Sequence, residues 1–330
     1  MAKCMTDTIN LTSVADAIRT KGGTSAQLIY PSGFVSAIQA IQTGITPKLV
    51  VTTTPGAAIT ATPAEGFKVV KGTAGADGMC TLELPKAGTW HVTAMANSVS
   101  NSQNIVIGTQ NMLLPLYHDT FANNTWEEII TVCRTGIAPD SWAVGDSKTM
   151  NIGGTAYQVD IIGKNHDEYA DGSGTAPLTF QLHDCYSEAK QMYSTNLSGL
   201  GWKNTDMRLT YLPAILALMP AEVKNGIHAV NKKTSEGGNS TTIETVSDTL
   251  FLLSEVEIFG TASSSVAGEG SQYDYYKAGN PKIKKREGVD EFWWERSSAS
   301  GGMFCRVRAN GQAGASNASN SLGVSFAFCF

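Results

Sequence analysis

The segment Asp290–Phe330 carries the pattern that decides the fold, and it reads DEFWWERSSASGGMFCRVRANGQAGASNASNSLGVSFAFCF. Aromatic residues open it at Phe292, Trp293 and Trp294, and an apolar run closes it between Val324 and Phe330. Between these ends lie Ser, Asn, Gly and Arg residues, which have little apolar surface to bury. Ser, Gly and Asn supply adaptable hydrogen bonds, whereas aromatic rings supply rigid contact area. The composition therefore predicts a binding surface held between two buried ends.

The composition of the whole chain limits the class of protein. Its 330 residues predict two or three domains, and a hydrophobic content of 42% is enough to fill real cores. A charged content of only 16% with 33 glycines is typical of β-rich extracellular or virion proteins. The net charge is −5, and the basic cluster Lys282–Arg286 is followed directly by acidic residues. We therefore expect no nucleic-acid partner.

The cysteines and the N-terminal residues indicate a protein that folds in the cytosol. No CxxC or metal-finger spacing occurs, so we expect mostly free thiols, at Cys4, Cys80, Cys133, Cys185, Cys305 and Cys329. The first residues lack the apolar core of a secretory signal. No apolar run reaches the length of a transmembrane helix, so we expect no membrane insertion.

Hydrophobic periodicity divides the chain into three predicted domains. Residues 1–46 form a helical module with two short amphipathic helices, around Leu11–Ile18 and Phe34–Ile41, which cannot bury their apolar faces alone. Residues 47–108 form a β-sandwich, because apolar alternation recurs about every ten residues between Pro, Gly or Asn. Its predicted strands are Lys48–Thr53, Ala57–Thr62, Phe67–Lys71, Cys80–Leu84, Trp90–Ala94 and Asn104–Ile107.

Residues 109–330 form the largest predicted domain, which mixes helices and strands. Asn124 or Thr125 is expected to cap its first helix, Trp126–Cys133. We expect further helices at Glu188–Tyr193 and Met207–Met219. The predicted strands are Trp142–Lys148, Tyr157–Gly163, Leu178–Cys185, Val246–Leu253 and Glu255–Phe259, before a long loop at Gly260–Lys285 and terminal strands.

Three parts of the chain resemble known families. Trp293-Trp294-x-Arg296-Ser297, Asn310-Gly311 and the run from Asn317 to Val324 resemble the end of C-type-lectin-like domains in phage and prophage tail proteins. These include the variable proteins that diversity-generating retroelements alter, and the fold is related to that of the formylglycine-generating enzyme. One departure is Ser325, where the family carries an arginine-like residue. The segment from Leu11 to Ile38 resembles the start of tail proteins from phages of Gram-positive bacteria, and Gly88–Ala94 resembles a strand of Ig-like modules.

The resemblance implies an α+β multidomain protein made of a short N-terminal helical module, an Ig-like β-sandwich and a C-terminal C-type-lectin-like domain. It further implies a phage tail receptor-binding protein, made in the host cytoplasm and located in the virion. We expect it to bind a bacterial surface receptor, either protein or glycan, and to join other tail proteins as a homotrimer through residues 1–46. We expect neither catalytic residues nor a metal or cofactor. The variable-like region 290–330 supplies the expected receptor contacts, namely Trp294, Glu295, Arg296, Ser297, Ser298, Ser300, Met303, Phe304, Arg306, Arg308, Gln312, Ser316, Asn317 and Ser319.

Alternatives from other function classes stay open at this point. An oxidase of the formylglycine-generating type needs two neighbouring thiolates for copper, and Cys305 lies in the matching neighbourhood. A cell-wall hydrolase needs a carboxylate pair, which Asp167, Glu168 and Asp171 or Glu127 and Glu128 would have to provide. His166-Asp167-Glu168 is the most metal-like cluster, and His183-Asp184 is a dyad in sequence only. A bacterial surface adhesin is the third alternative.

Overall fold

A computed structural model shows a mixed α+β fold in which strands outnumber helices. The chain divides into two compact units, Met1–Tyr117 and His118–Phe330. The structure describes residues 8–22, 47–64, 68–85, 87–107, 110–197, 199–238 and 240–330.

The first unit begins with helix α1 (Thr8–Gly22). Its Asp16 and Arg19 side chains form an ion pair one turn apart. Ala15 and Ile18 are buried, in agreement with the predicted apolar stripe. The second predicted helix, near Phe34–Ile41, lies outside the described residues.

Within the described residues of this unit, seven strands then form two sheets that share one hydrophobic core. They are β1 Lys48–Thr52, β2 Ala58–Pro63, β3 Val70–Thr73, β4 Met79–Glu83, β5 Gly88–Ala96, β6 Val99–Ile107 and β7 Gln110–Leu113. The strand orders are β4-β1-β7 and β3-β2-β5-β6. Leu49 and Val51 of one sheet pack in the same core as Ile59, Trp90 and Val92 of the other. The predicted strands are confirmed, although β3 begins at Val70 instead of Phe67.

The second unit contains five α-helices and eleven strands within the residues described. The helices are α2 Trp126–Cys133, α3 Leu212–Leu218, α4 Ala221–Gly226, α5 Glu255–Phe259 and α6 Asp274–Lys277. The strands are β8 Ser147–Ile152, β9 Thr155–Lys164, β10 Leu178–Leu182, β11 Val230–Ser235, β12 Ile243–Asp248, β13 Lys284–Arg286, β14 Val289–Glu291, β15 Trp293–Ser298, β16 Met303–Val307, β17 Ala313–Asn317 and β18 Ala327–Cys329. None of the described helices has the length and hydropathy needed to cross a bilayer.

The last strand lies in a sheet with the first strands of this unit, in the order β18-β10-β9-β8. Phe180 at the centre of β10 contacts the rings of Phe121, Trp126, Phe328 and Phe330. The terminal apolar run is therefore buried, as predicted. Ser325, the departure from the lectin-like pattern, is also buried, and its hydroxyl donates to the carbonyl of Leu182 at 2.9 Å.

Two capping boxes fix short helices. Thr125 accepts from the Glu128 amide while the Glu128 side chain accepts from the Thr125 amide, which confirms the start of α2. Ser254 and Glu257 make the same reciprocal bonds at the start of α5, and Gly260 ends that helix in the left-handed conformation. The prediction of a strand at Glu255–Phe259 was therefore wrong.

Other predictions failed where contacts with distant residues replaced local preference. Glu188–Tyr193 is not a helix, because the amides of Met192 and Tyr193 bind the carbonyl of Ala318. By contrast, the predicted helix Met207–Met219 is confirmed as a helical segment, in which a π-helix at Met207–Tyr211 leads directly into α3. The predicted strands in this unit begin or end at other residues: Trp142 precedes β8, β10 ends at Leu182, and β12 covers Ile243–Asp248. The segment Gly260–Lys285 holds α6 and three buried tyrosines, Tyr273, Tyr275 and Tyr276.

Candidate functional site

The predicted receptor contacts lie on and around the sheet β15-β16-β17. Strand β16 is central, with Arg306 opposite Trp294 on one side and Gly314 on the other. Because side chains alternate along a strand, Arg306 shares a face of this sheet with Phe304, whereas Met303 and Cys305 lie on the other face.

Half of these predicted contacts are buried, which corrects the sequence-based site. Their side chains build the interior that supports the sheet. The Trp294 indole, for example, donates to the carbonyl of Lys190 at 2.8 Å, and the Phe304 ring contacts Tyr193. The buried residues are Trp294, Glu295, Arg296, Ser297, Ser298, Phe304 and Ser316.

The accessible half forms two groups at opposite ends of β16. Ser300, Met303, Asn317 and Ser319 lie at the first end, where the Ser319 hydroxyl donates to Asn196 Oδ1 at 2.6 Å. Arg306, Arg308 and Gln312 lie at the other end. Since β16 spans five residues, the ends are roughly 13 Å apart.

The Arg306 and Arg308 side chains are held by neighbouring groups. Arg306 Nε donates to the carbonyl of Ala315 at 3.1 Å, and Arg308 Nε donates to that of Ala313 at 3.1 Å. The Arg306 guanidinium also lies 4.2 Å from the centre of the Phe292 ring. Phe292, which the sequence placed in a buried anchor, is 37% exposed.

Arg296 lies at the centre of a buried ion network behind this sheet. Its guanidinium forms a bidentate pair with Glu257 and also donates to the carbonyls of Lys233, Leu252 and Glu269. Burial alone would lower the pKa of Arg296, but the Glu257 carboxylate raises it above its usual range. A guanidinium in which every nitrogen is occupied supports the fold and has no N–H left for a ligand.

Lys232 extends the network towards β9 and β10. Its ammonium lies 2.7 Å from both Asp167 and Glu257, and it donates to Tyr273 Oη at 3.0 Å. Burial opposes ionisation of Asp167, yet Lys232 and the Thr179 hydroxyl lower its pKa to about 2. Both carboxylates are therefore paired anions, and neither is free to act as a general acid or base.

Three further glutamates lie close to this network. Glu255 accepts hydrogen bonds from the amides and hydroxyls of Ser263 and Ser265. Glu269 accepts from the Ser235 amide at 2.8 Å and from the Ser297 hydroxyl. Glu295 is fully buried, and neither of its carboxyl oxygens has a hydrogen-bond partner within the described residues. Burial and the neighbouring charges of Glu255 and Glu269 raise its pKa well above the usual range.

A polar cleft of about 480 Å³ opens beside Lys232. Loop residues after β9, the hairpin β11-β12 and the glycines before α6 form its walls. Its lining includes His166, Glu168, Asn231, Lys233, Thr245 and Ser271. Sequence reasoning singled out His166–Glu168 but missed Lys232, Glu257 and Glu269. A signal for Glu257 was present in the Ser254-x-x-Glu257 capping box.

Several of the groups considered for catalysis form hydrogen bonds within the fold. His183 pairs with Asp160 at 2.7 Å, whereas Asp184 accepts from the Lys285 amide. Asp171 is exposed and accepts from the Ser173 amide and hydroxyl. Within the described ranges, no set of three or more His, Cys, Asp or Glu side chains is placed to hold a metal ion.

The thiols are buried protonated groups. Cys305 neighbours Glu255, whereas Cys329 neighbours Thr179 and Asp167. Burial raises the pKa of both thiols. The expectation of free thiols is confirmed for the described cysteines, namely Cys80, Cys133, Cys185, Cys305 and Cys329.

Comparison with known proteins gives one match. Residues 179–330 match the model of a domain of unknown function, DUF6273. The matched region begins in β10 and includes the ion network except Asp167, together with the whole sheet β15-β16-β17. No curated protein and no solved structure matches the chain significantly.

Proposed function

We propose that the chain is a phage tail receptor-binding protein whose second unit binds a bacterial surface receptor. The observation that carries the proposal is the contrast within one sheet between exposed and buried polar residues. Arg306, Arg308 and Gln312 are accessible at one end of β16, while Arg296 and Ser297 lock the interior. A rigid support for adaptable side chains is what a recognition surface requires.

Two features of the fold support the finer assignment of domains. In a C-type-lectin-like domain the two ends of the chain meet in one sheet, and β18 lies beside β10 in the sheet that contains β8 and β9. An Ig-like spacer buries one core between two sheets, and the strands of the first unit share such a core. The oxidase alternative gains no support from the buried, protonated thiols.

Adsorption to cells tests the proposal. The full chain, fluorescently labelled, should bind saturably to cells of at least one Gram-positive strain. Replacing Arg306 and Arg308 together with alanine should weaken binding about tenfold or more, while the melting temperature falls by no more than a few degrees. Cell binding that the double variant leaves unchanged would contradict this receptor surface. An equal loss of folding would make both arginines structural.

Location and assembly separate a tail protein from an adhesin. Antibodies against the chain should label purified phage particles and leave the surface of uninduced cells unlabelled; the reverse pattern identifies an adhesin.

Light scattering should give a trimer for the full chain and a monomer for a chain that begins at Pro47. A trimer is expected because linking several binding heads raises avidity. A monomeric full chain would contradict this expectation.

A further inference from the structure

Arg306 and Arg308 form a pair of cations without carboxylate partners. Arg306 lies on β16 and Arg308 is the first residue after that strand, so alternation along the extended chain places both side chains on the same face with bases roughly 7 Å apart. The ion pairs among the described residues satisfy Arg19, Arg208, Arg286 and Arg296, but neither Arg306 nor Arg308. The sheet therefore carries concentrated positive charge on a chain whose net charge is −5.

The backbone of β17 fixes both side chains while leaving their ends free. β17 is an edge strand, and edge carbonyls lack a neighbouring strand to bind. The Nε atoms of Arg306 and Arg308 occupy two of these carbonyls. Neither arginine's terminal Nη group has a hydrogen-bond partner among the residues that the structure describes.

Gly314 makes this arrangement sterically possible. A Cβ atom at residue 314 would lie 2.8 Å from Arg308 Nε and 3.3 Å from its Cγ. Arg308 therefore crosses the strand where the side chain is absent. On the other side, the exposed Phe292 ring supports the Arg306 guanidinium. The two cationic ends are consequently preorganised, which lowers the entropic cost of binding.

The electrostatics of the pair favour an anionic ligand. Burial and the neighbouring Arg308 charge lower the pKa of Arg306, as expected for two like charges on the same face. An anion between them would remove that repulsion. Guanidinium groups bind phosphate and carboxylate oxygens through two parallel N–H donors, and the terminal Nη groups of both arginines are the donors left for this purpose.

We infer that Arg306 and Arg308, with the Phe292 ring positioning the Arg306 guanidinium, bind the oxyanion groups of a polyanionic polymer on the bacterial surface. That the polymer lies on a bacterial surface follows from the proposed function. That it carries oxyanion groups follows from the arginine pair. Phosphodiester and carboxylate groups share this chemistry. A neutral glycan does not, and it should not bind at this end of the sheet.

Binding measured with defined polymers tests the inference. The full chain should bind either poly(glycerol phosphate) or polygalacturonate, and the stronger of the two identifies the source of the oxyanion. It should not bind dextran. R306Q/R308Q should weaken binding about tenfold or more, and R306K/R308K by about threefold, because lysine keeps the charge but loses the two-donor fork. Binding should also weaken as salt increases from about 0.05 to 0.3 M.

A matched control removes the same charge elsewhere. K224Q/K277Q replaces two exposed lysines outside this sheet and should bind like the unaltered chain. Equal weakening by K224Q/K277Q, or full binding by R306Q/R308Q or R306K/R308K, would overturn the inference, as would failure to bind either polyanion. If cells are still bound through Arg306 and Arg308 while both polyanions fail, the receptor function stands and only the ligand class is wrong. If polyanions bind but cells do not, the function fails instead.

Discussion

Glu295 has the most unfavourable surroundings of the residues described in the second unit. It is fully buried, both carboxyl oxygens lack a partner there, and its pKa is raised well above the usual range by burial, Glu255 and Glu269. These surroundings favour the protonated form of its carboxyl group. A buried polar group without a hydrogen bond costs about 1–3 kcal/mol.

Replacing Glu295 with methionine should consequently stabilise the protein. Methionine has a similar length and no group that needs a partner. We expect the free energy of unfolding at pH 7 to rise by about 1–3 kcal/mol, measured by urea denaturation. The matched control is Glu257→Met, which removes the carboxylate between Lys232 and Arg296. It should destabilise by about 3–5 kcal/mol, since it leaves the buried Arg296 without its carboxylate partner while Lys232 keeps Asp167. Loss of stability in both variants would show that Glu295 has a stabilising partner.

At this scale the sequence did not separate the accessible residues of the predicted site from the buried ones. Arg306, Gln312 and Asn317 are polar residues of the same segment as Arg296 and Ser297. What separates them is the partner that each side chain meets. The partners of Arg296 and Ser297 are Glu257 and Glu269, which are 39 and 28 residues away in sequence, and no local pattern encodes that proximity.

Among elements, local signals decided the outcome wherever they were strong. The predicted cap at Asn124 or Thr125 correctly placed the start of α2, which the structure completes as a box with Glu128. The Ser254-x-x-Glu257 pattern at α5 was available in the sequence but was not used. Alternation correctly predicted six of the seven strands described in the first unit, and β1, β2, β4 and β5 bury alternate residues. Glu188–Tyr193 failed because its amides bind Ala318, which only the folded chain brings near.

The segment after α5 owes its conformation to one carboxylate. Glu255 accepts hydrogen bonds from the amides of Ser263, Ser264 and Ser265, besides two serine hydroxyls. Glutamine at residue 255 offers one acceptor oxygen instead of two. Glu255→Gln should therefore speed hydrogen exchange at these three amides about tenfold or more. The control Glu222→Gln alters an exposed carboxylate and should leave them unchanged. If the three amides exchange as slowly in Glu255→Gln as in the unaltered chain, contacts other than Glu255 hold this loop.

Across the molecule, the ion network joins segments that are remote in sequence. Asp167 follows β9, Lys232 lies on β11, Glu257 on α5 and Arg296 on β15. Network formation therefore requires the second unit to be largely folded. Length predicted two or three domains, and the resemblance implied an α+β class, but neither predicted a network whose members lie on four different segments.

The same network predicts how stability depends on pH. The pKa of Asp167 is lowered to about 2 and that of Glu257 is also lowered. Their contribution to the free energy of unfolding is fully present when the pH is above the ordinary carboxyl pKa of about 4. It is lost as the pH falls from there through the lowered pKa values, and for Asp167 it is worth about 2 kcal/mol.

Glu295 and Glu269 have raised pKa values, so their contribution has the opposite sign. This stabilising contribution is present when the pH is below the ordinary glutamate pKa of about 4.3. It is lost as the pH rises through the raised pKa values of the folded protein. The free energy of unfolding should therefore pass through a maximum in mildly acidic solution. Urea denaturation between pH 2 and 8 should show that Glu295→Met flattens the neutral side of this maximum, whereas Asp167→Asn flattens the acidic side. Curves that stay parallel to that of the unaltered chain would show that these carboxyls do not control the pH dependence.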